Sequence, residues 1–131
     1  MKGYFDNIEA ATINNTDFRR VLYTAKHSQL VAMCLQPGEE IGVEVHEDGD
    51  QFFRFEEGRG QLVVGETTYE VKADDAGIAP AGANHNVINT GDVPLKLYTV
   101  YSPPEHQDGT VHATKADAMA ADEHFDGRTT E

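Results

Sequence analysis

Two neighbouring runs of the chain alternate between apolar and polar or small side chains. Across residues 41–46, Ile41, Val43 and Val45 fall on one side and Gly42, Glu44 and His46 on the other. Across residues 51–55, Gln51, Phe53 and Phe55 oppose Phe52 and Arg54. Alternation at period two predicts half-buried strands. Between the runs lies Glu47-Asp48-Gly49-Asp50, whose Asp-Gly is a strong turn signal, so the two strands are expected to form a hairpin. Glu44 and His46 then project from one face, and Gln51 comes alongside His46 across the turn. Three metal-capable side chains therefore converge on one side of the expected hairpin.

The rest of the pattern is also β. Arg20–Lys26 and Gln29–Leu35 read as strands, the second burying both faces because its alternation is poor. Gln61–Val64 and Thr67–Val71 form a hairpin around Gly65-Glu66, and Asn86–Asn89 and Leu95–Tyr101 follow as strands. Pro80 cannot donate to a ladder and belongs at a strand end or edge. Short strands at regular spacing with no βαβ pattern predict an antiparallel barrel or sandwich. Asp6 is placed to cap a short helical turn with Glu9 reaching back, and Thr114 to cap an Ala-rich helix running to His124 with Asp117 at its third position.

Length bounds the chain of 131 residues to one domain with a proper core. It divides into an entry segment, 1–19, a β-barrel domain, 20–104, and an acidic C-terminal extension, 105–131. Within the extension, the Pro-, Gly- and His-containing loop at 103–112 reads as a surface tail in preference to a lid, and 126–131 as mobile. The formal net charge of −13 disfavours nucleic acid and anionic membrane surfaces, which both require basic patches. Cys34 is the single cysteine; no internal disulfide is possible, and a small core residue in a reducing compartment is expected. The N-terminal residues carry no hydrophobic run, so neither a signal peptide nor a membrane span is expected, and a cytoplasmic protein is.

Gly38–Gly60 resembles the first motif of the cupin superfamily, G-x5-H-x-H-x3,4-E-x6-G. The spacing is met by Gly38, Glu44, His46, Gln51 and Gly58, with Glu44 in place of the first His and Gln51 in place of the Glu. The second motif, G-x5-P-x-G-x2-H-x3-N, is matched by Pro80, Gly82, His85 and Asn89, with Asp74 in place of its leading Gly. The resemblance implies a single antiparallel jelly-roll barrel and a divalent metal ion held by Glu44, His46, Gln51 and His85. Carboxylate oxygen with imidazole nitrogen suits zinc, iron, manganese, cobalt or nickel. A set of two His, one acid and one amide is similar to the zinc site of the mannose-6-phosphate isomerases, which are larger cupins.

The expected function is that of a small metal-binding cupin acting on a small oxygenated molecule by sugar isomerase-like chemistry. Cupin dioxygenase chemistry is the alternative within enzymes, and a non-catalytic small-molecule-binding barrel the alternative outside them. An isomerase needs a base; Glu44, if unligated, and His106 are the candidates. Phe53 and Phe55 share the face of Gln51 and wall the expected pocket. Phe52 and Arg54 point outward, and because cupins commonly dimerise through a sheet, a homodimer is expected.

Overall fold

The computed structural model describes residues 1–131. Its elements are helix α1 (Ile8–Ile13), strands β1 (Arg19–Thr24), β2 (Gln29–Leu35), β3 (Asp50–Glu57), β4 (Arg59–Val64), β5 (Thr67–Lys72), β6 (Ala76–Ala79), β7 (His85–Ile88), β8 (Leu95–Ser102), β9 (Val111–His112) and helix α2 (Lys115–Ala120). The strands form two antiparallel sheets rather than one closed barrel. One has the order β6-β3-β8-β2-β1-β9, the other β5-β4-β7.

Side-chain parity builds the interior. β8 alternates strictly, burying Leu95, Leu97, Thr99 and Tyr101, and it lies between β2 and β3. Register places Phe55, Leu97, Met33, Arg19 and His112 in one inward row, and Gln51, Tyr101 and Gln29 in another. The apolar core includes Val31, Met33, Phe53, Phe55, Leu62, Val87, Leu95 and Leu97. The second row is polar at both Gln51 and Gln29, which are 1% exposed; buried polar side chains demand partners, and this end of the sandwich supplies them. β2 is buried along nearly its whole length, as its irregular pattern requires. Cys34 is buried within it, and burial pushes its thiol upward.

The expected hairpin of 41–46 with 51–55 does not form. Glu40 and Glu44 make isolated bridges to Ile88 and His85, so this segment extends the smaller sheet beside β7, while β3 pairs with β6 and β8 in the larger one. The Asp48-Gly49 turn carries the chain from one sheet to the other. Gly42 has φ +106°, a conformation that interrupts a regular strand. The segment also turns its polar side inward: Val43 and Val45 are 73% and 41% exposed, whereas Glu44 and His46 are only partly accessible. A sheet edge that hides its acids and shows its valines is arranged for a site rather than for the core.

Four further expectations change. Asn7, not Asp6, caps α1, accepting from the Ala10 N–H. Thr114 and Asp117 do form a reciprocal capping box on α2, but the helix ends at Ala120. The loop at 103–112 is not a free surface tail. β9 joins the larger sheet beside β1, and buried Gln29 accepts from the Glu105 and His106 N–H groups at 3.2 and 2.9 Å and donates to the His106 carbonyl at 2.7 Å. The last residues are tied down too, since Thr130 N–H donates to the Thr24 carbonyl and Tyr23 OH to the Glu131 carboxylate.

Candidate metal centre

Glu44, His46 and His85 meet between the two sheets, with ligand atoms all within 4.8 Å of one another. Backbone pairing does the positioning. Glu44 and His85 exchange N–H and carbonyl across their bridge, both bonds at 2.9 Å, so their side chains leave neighbouring strands on the same side. The His46 carbonyl accepts from the Gly82 N–H at 2.9 Å, holding that ring beside His85 with centroids 5.1 Å apart. Gln51 arrives from the opposite sheet, its Oε1 at 2.9 Å from His85 Nε2.

That last contact is informative. Thr99 Oγ1 donates to the Phe52 carbonyl at 2.7 Å, so toward Gln51, 3.0 Å away, it accepts from Nε2. The Gln51 oxygen must then face His85. The other nitrogen of His85, Nδ1, lies 3.0 Å from the Ala83 carbonyl, which only accepts, so Nδ1 carries a proton. A neutral His85 therefore points a lone pair at the lone pair of Gln51 Oε1. Two acceptors at this distance repel unless a positive charge, a proton or a metal ion, lies between them. Two donor atoms each about 2.1 Å from one ion and at right angles lie about 3.0 Å apart. The Gln51–His85 separation of 2.9 Å and the Glu44 Oε2–His46 Nε2 separation of 3.1 Å both fit, as does the mixed N/O chemistry of the four side chains.

The surroundings support the same reading. His46 Nδ1 lies 3.5 Å from Glu105 Oε1, the carboxylate–histidine arrangement that orients metal-ligating imidazoles. Glu105 and Glu44 raise His46 to about 9. Burial acts to raise the Glu44 carboxyl, but its hydrogen bond to His46 and the charges of His46 and Arg19 outweigh it and hold the group below its usual value.

Phe53 packs against His85, ring centroids 6.0 Å apart. Phe55 lies one inward row away, fully buried in the apolar core. His106 does not join the cluster. The ring of Tyr101 stands edge-on between His46, at 5.8 Å, and His106, at 5.1 Å. His106 Nδ1 lies 2.6 Å from the Glu123 carboxylate and donates to it, so Nε2 accepts from Tyr101 OH at 3.3 Å. Burial, then the charge of Arg19, keep His106 below its ordinary value despite Glu123; burial also raises the Tyr101 hydroxyl. Tyr101 and His46 line one cavity of about 260 Å3 with Asp50, Pro103 and Glu105. Tyr101 and Arg19 carry no motif, but both lie in phase with inward-facing apolar residues of their strands, Leu97 and Val21.

Residues 31–101 match the model of the cupin domain family. The chain is 49% identical to YrkC of Bacillus subtilis (strain 168) over 128 residues, covering 93% of this chain and 69% of that one. It superposes on the crystal structure of BH2720 from Bacillus halodurans with a TM-score of 0.90 and 50% identity, covering 92% of this chain and 96% of the other. A predicted oxalate decarboxylase from Thermotoga maritima aligns with a TM-score of 0.57 and 26% identity, over 60% of this chain and 68% of that one. No helix is long and apolar enough to cross a membrane.

Proposed function

The chain belongs to the cupin domain family, and from that premise we propose that it is a metal-dependent enzyme that moves a proton on a small oxygenated molecule, as sugar isomerases do. Glu44, His46, Gln51 and His85 are the residues that would hold the ion. The observation that carries this reading is the convergence of Glu44, His46 and His85, with ligand atoms within 4.8 Å of one another and Gln51 Oε1 2.9 Å from His85 Nε2. When bound, a divalent ion supplies a Lewis acid that polarises a carbonyl or hydroxyl oxygen.

The chain's own residues handle the proton. Glu44, hydrogen-bonded to His46, serves as a ligand and not as the base. Tyr101 lines the cavity with His46; its hydroxyl, raised by burial, keeps its proton as a donor, and His106, backed by Glu123, accepts its hydrogen bond and orients it. His106 is thus a positioning residue acting through Tyr101. The Thermotoga relative's description as a predicted oxalate decarboxylase agrees with a small oxygenated substrate.

Metal analysis of the purified protein, joined to proton–deuterium exchange on a panel of small hydroxy-carbonyl compounds in D2O, tests the proposal. About one ion per chain and exchange that chelator abolishes are expected. Stoichiometric iron with consumption of dioxygen would replace the isomerase reading with a dioxygenase. Substoichiometric metal and no turnover would leave a binding module.

The pH dependence follows from His46. Its pKa in the folded, metal-free protein, about 9, lies above the ordinary 6.5. A raised pKa contributes stability that is complete below 6.5 and lost as pH rises through about 9. Metal must displace that same proton. Between these values affinity is expected to rise about tenfold per pH unit, while the thermal midpoint of the metal-free protein falls. Calorimetric titration and thermal scans across this range check the two opposite slopes.

A further inference from the structure

Arg19 is a buried cation with no acid within ion-pairing distance, although its charge reaches Glu44 and Glu123. It faces inward from β1 and is 7% exposed. None of the protein's ion pairs includes it. Its contacts are His112 Nδ1, 3.3 Å from one terminal nitrogen, and the face of the Phe18 ring, 5.4 Å from the guanidinium carbon. Its Nε is buried with no hydrogen-bond partner. A guanidinium removed from water is stable only when paired and hydrogen-bonded, and its planar fork matches a carboxylate.

The partner has a place to sit. A cavity of about 200 Å3 lies between β1, the 41–44 segment and α2, lined by Phe18, Arg19, Ile41, Glu44, Lys115 and Ala118. Both cations on that wall are unpaired with acid. The one carboxylate there, Glu44, is engaged by His46 and belongs to the metal cluster. Burial, then the charge of Arg19, keep the neighbouring His106 and His112 below their ordinary values against the opposing charges of Glu123, Glu105 and Asp117. The volume is smaller than pockets for drug-sized ligands and suits a guest of a few carbons.

We propose that Arg19 is the carboxylate-recognition residue of the site, and that the ligands are small hydroxy or oxo acids whose acid group pairs with Arg19 while the adjacent oxygenated carbon lies toward Glu44 and the metal cluster. This rests on the metal-dependent reading above for which end of the ligand reacts, but not for binding of the acid itself.

The test is therefore made on metal-free and metal-loaded full-length protein. Lactate and pyruvate are titrated calorimetrically against lactamide and 1,2-propanediol, which keep the size and lose the charge. The acids are expected to bind metal-free protein at least tenfold more tightly than the uncharged probes. Arg19→Gln is expected to erase that preference while leaving metal stoichiometry unchanged, and Arg19→Lys to retain part of it. Equal binding of acids and uncharged probes by the unsubstituted protein overturns the proposal, even if Arg19→Gln fails to fold. So does an acid preference that survives intact in Arg19→Gln. Acid preference without any metal-dependent exchange upholds Arg19 and sinks the enzymatic reading; metal-dependent exchange without acid preference does the reverse.

Discussion

His85→Ala is expected to weaken metal binding at least a hundredfold, and His46→Ala with His85→Ala to abolish it. Structural zinc sites with four ligands gain roughly 10–16 kcal/mol, so one ligand carries about 3 kcal/mol. Thr99 fixes the direction of the Gln51 oxygen, and loss of His85 leaves that acceptor facing a void. Gln51 separates two explanations of the opposed lone pairs. If its oxygen ligates, Gln51→Ala weakens metal binding while Gln51→Glu, which restores the carboxylate of the motif, keeps it. If a proton on His85 satisfies the contact, Gln51→Ala leaves metal affinity unchanged. Competition against a chelator of known affinity reads each constant. A ligand present at a hundred times its dissociation constant adds about 2.7 kcal/mol of stability, so metal is expected to raise the melting temperature of the unsubstituted protein and not that of the double variant.

The convergence of Glu44, His46, Gln51 and His85 was legible because motif spacing fixes which residues face inward, whatever the strands pair with. The route was not. Asp48-Gly49 encodes a turn locally, but whether a turn joins partners in one sheet or steps between sheets depends on what lies across each strand. Here His85 claims Glu44 and β8 claims β3. The β4–β5 hairpin was read correctly because two adjacent strands joined by Gly65-Glu66 have no rival partner on β5's outer side. Arg19 and Tyr101 escaped notice for the complementary reason. Their significance lies in being polar at inward positions, and inwardness is known only once Met33, Gln29 and Gln51 are seen beside them. The acidic tail read as solvated because composition averages over residues. What anchors it is particular: the Glu131 carboxylate on Tyr23, and Glu123 on His106.

Gly58→Ala is expected to destabilise the fold by about 2–4 kcal/mol, clearly more than Gly38→Ala, although both glycines belong to the same motif and have nearly the same backbone. Gly38 has φ +84° and Gly58 φ +86°. Alanine at either position incurs the left-handed strain, about 1–2 kcal/mol, offset by a few tenths to 1 kcal/mol from a stiffer unfolded chain. The environments then diverge. A Cβ on Gly38 meets nothing within 4 Å, whereas one on Gly58 lies 2.6 Å from the Pro94 carbonyl oxygen and 3.1 Å from Leu95 Cα. Both neighbours are backbone and cannot rotate aside. Relief requires moving the entry to β8, the strand that holds β2 and β3 together and buries Leu95 and Leu97 completely; core displacements of this kind cost about 1–3 kcal/mol. Urea unfolding of the two variants isolates this close approach, because the shared backbone strain cancels in their difference. Midpoints that fall together would mean the turn at Gly58 accommodates a methyl group and the motif glycine is there for its dihedral alone.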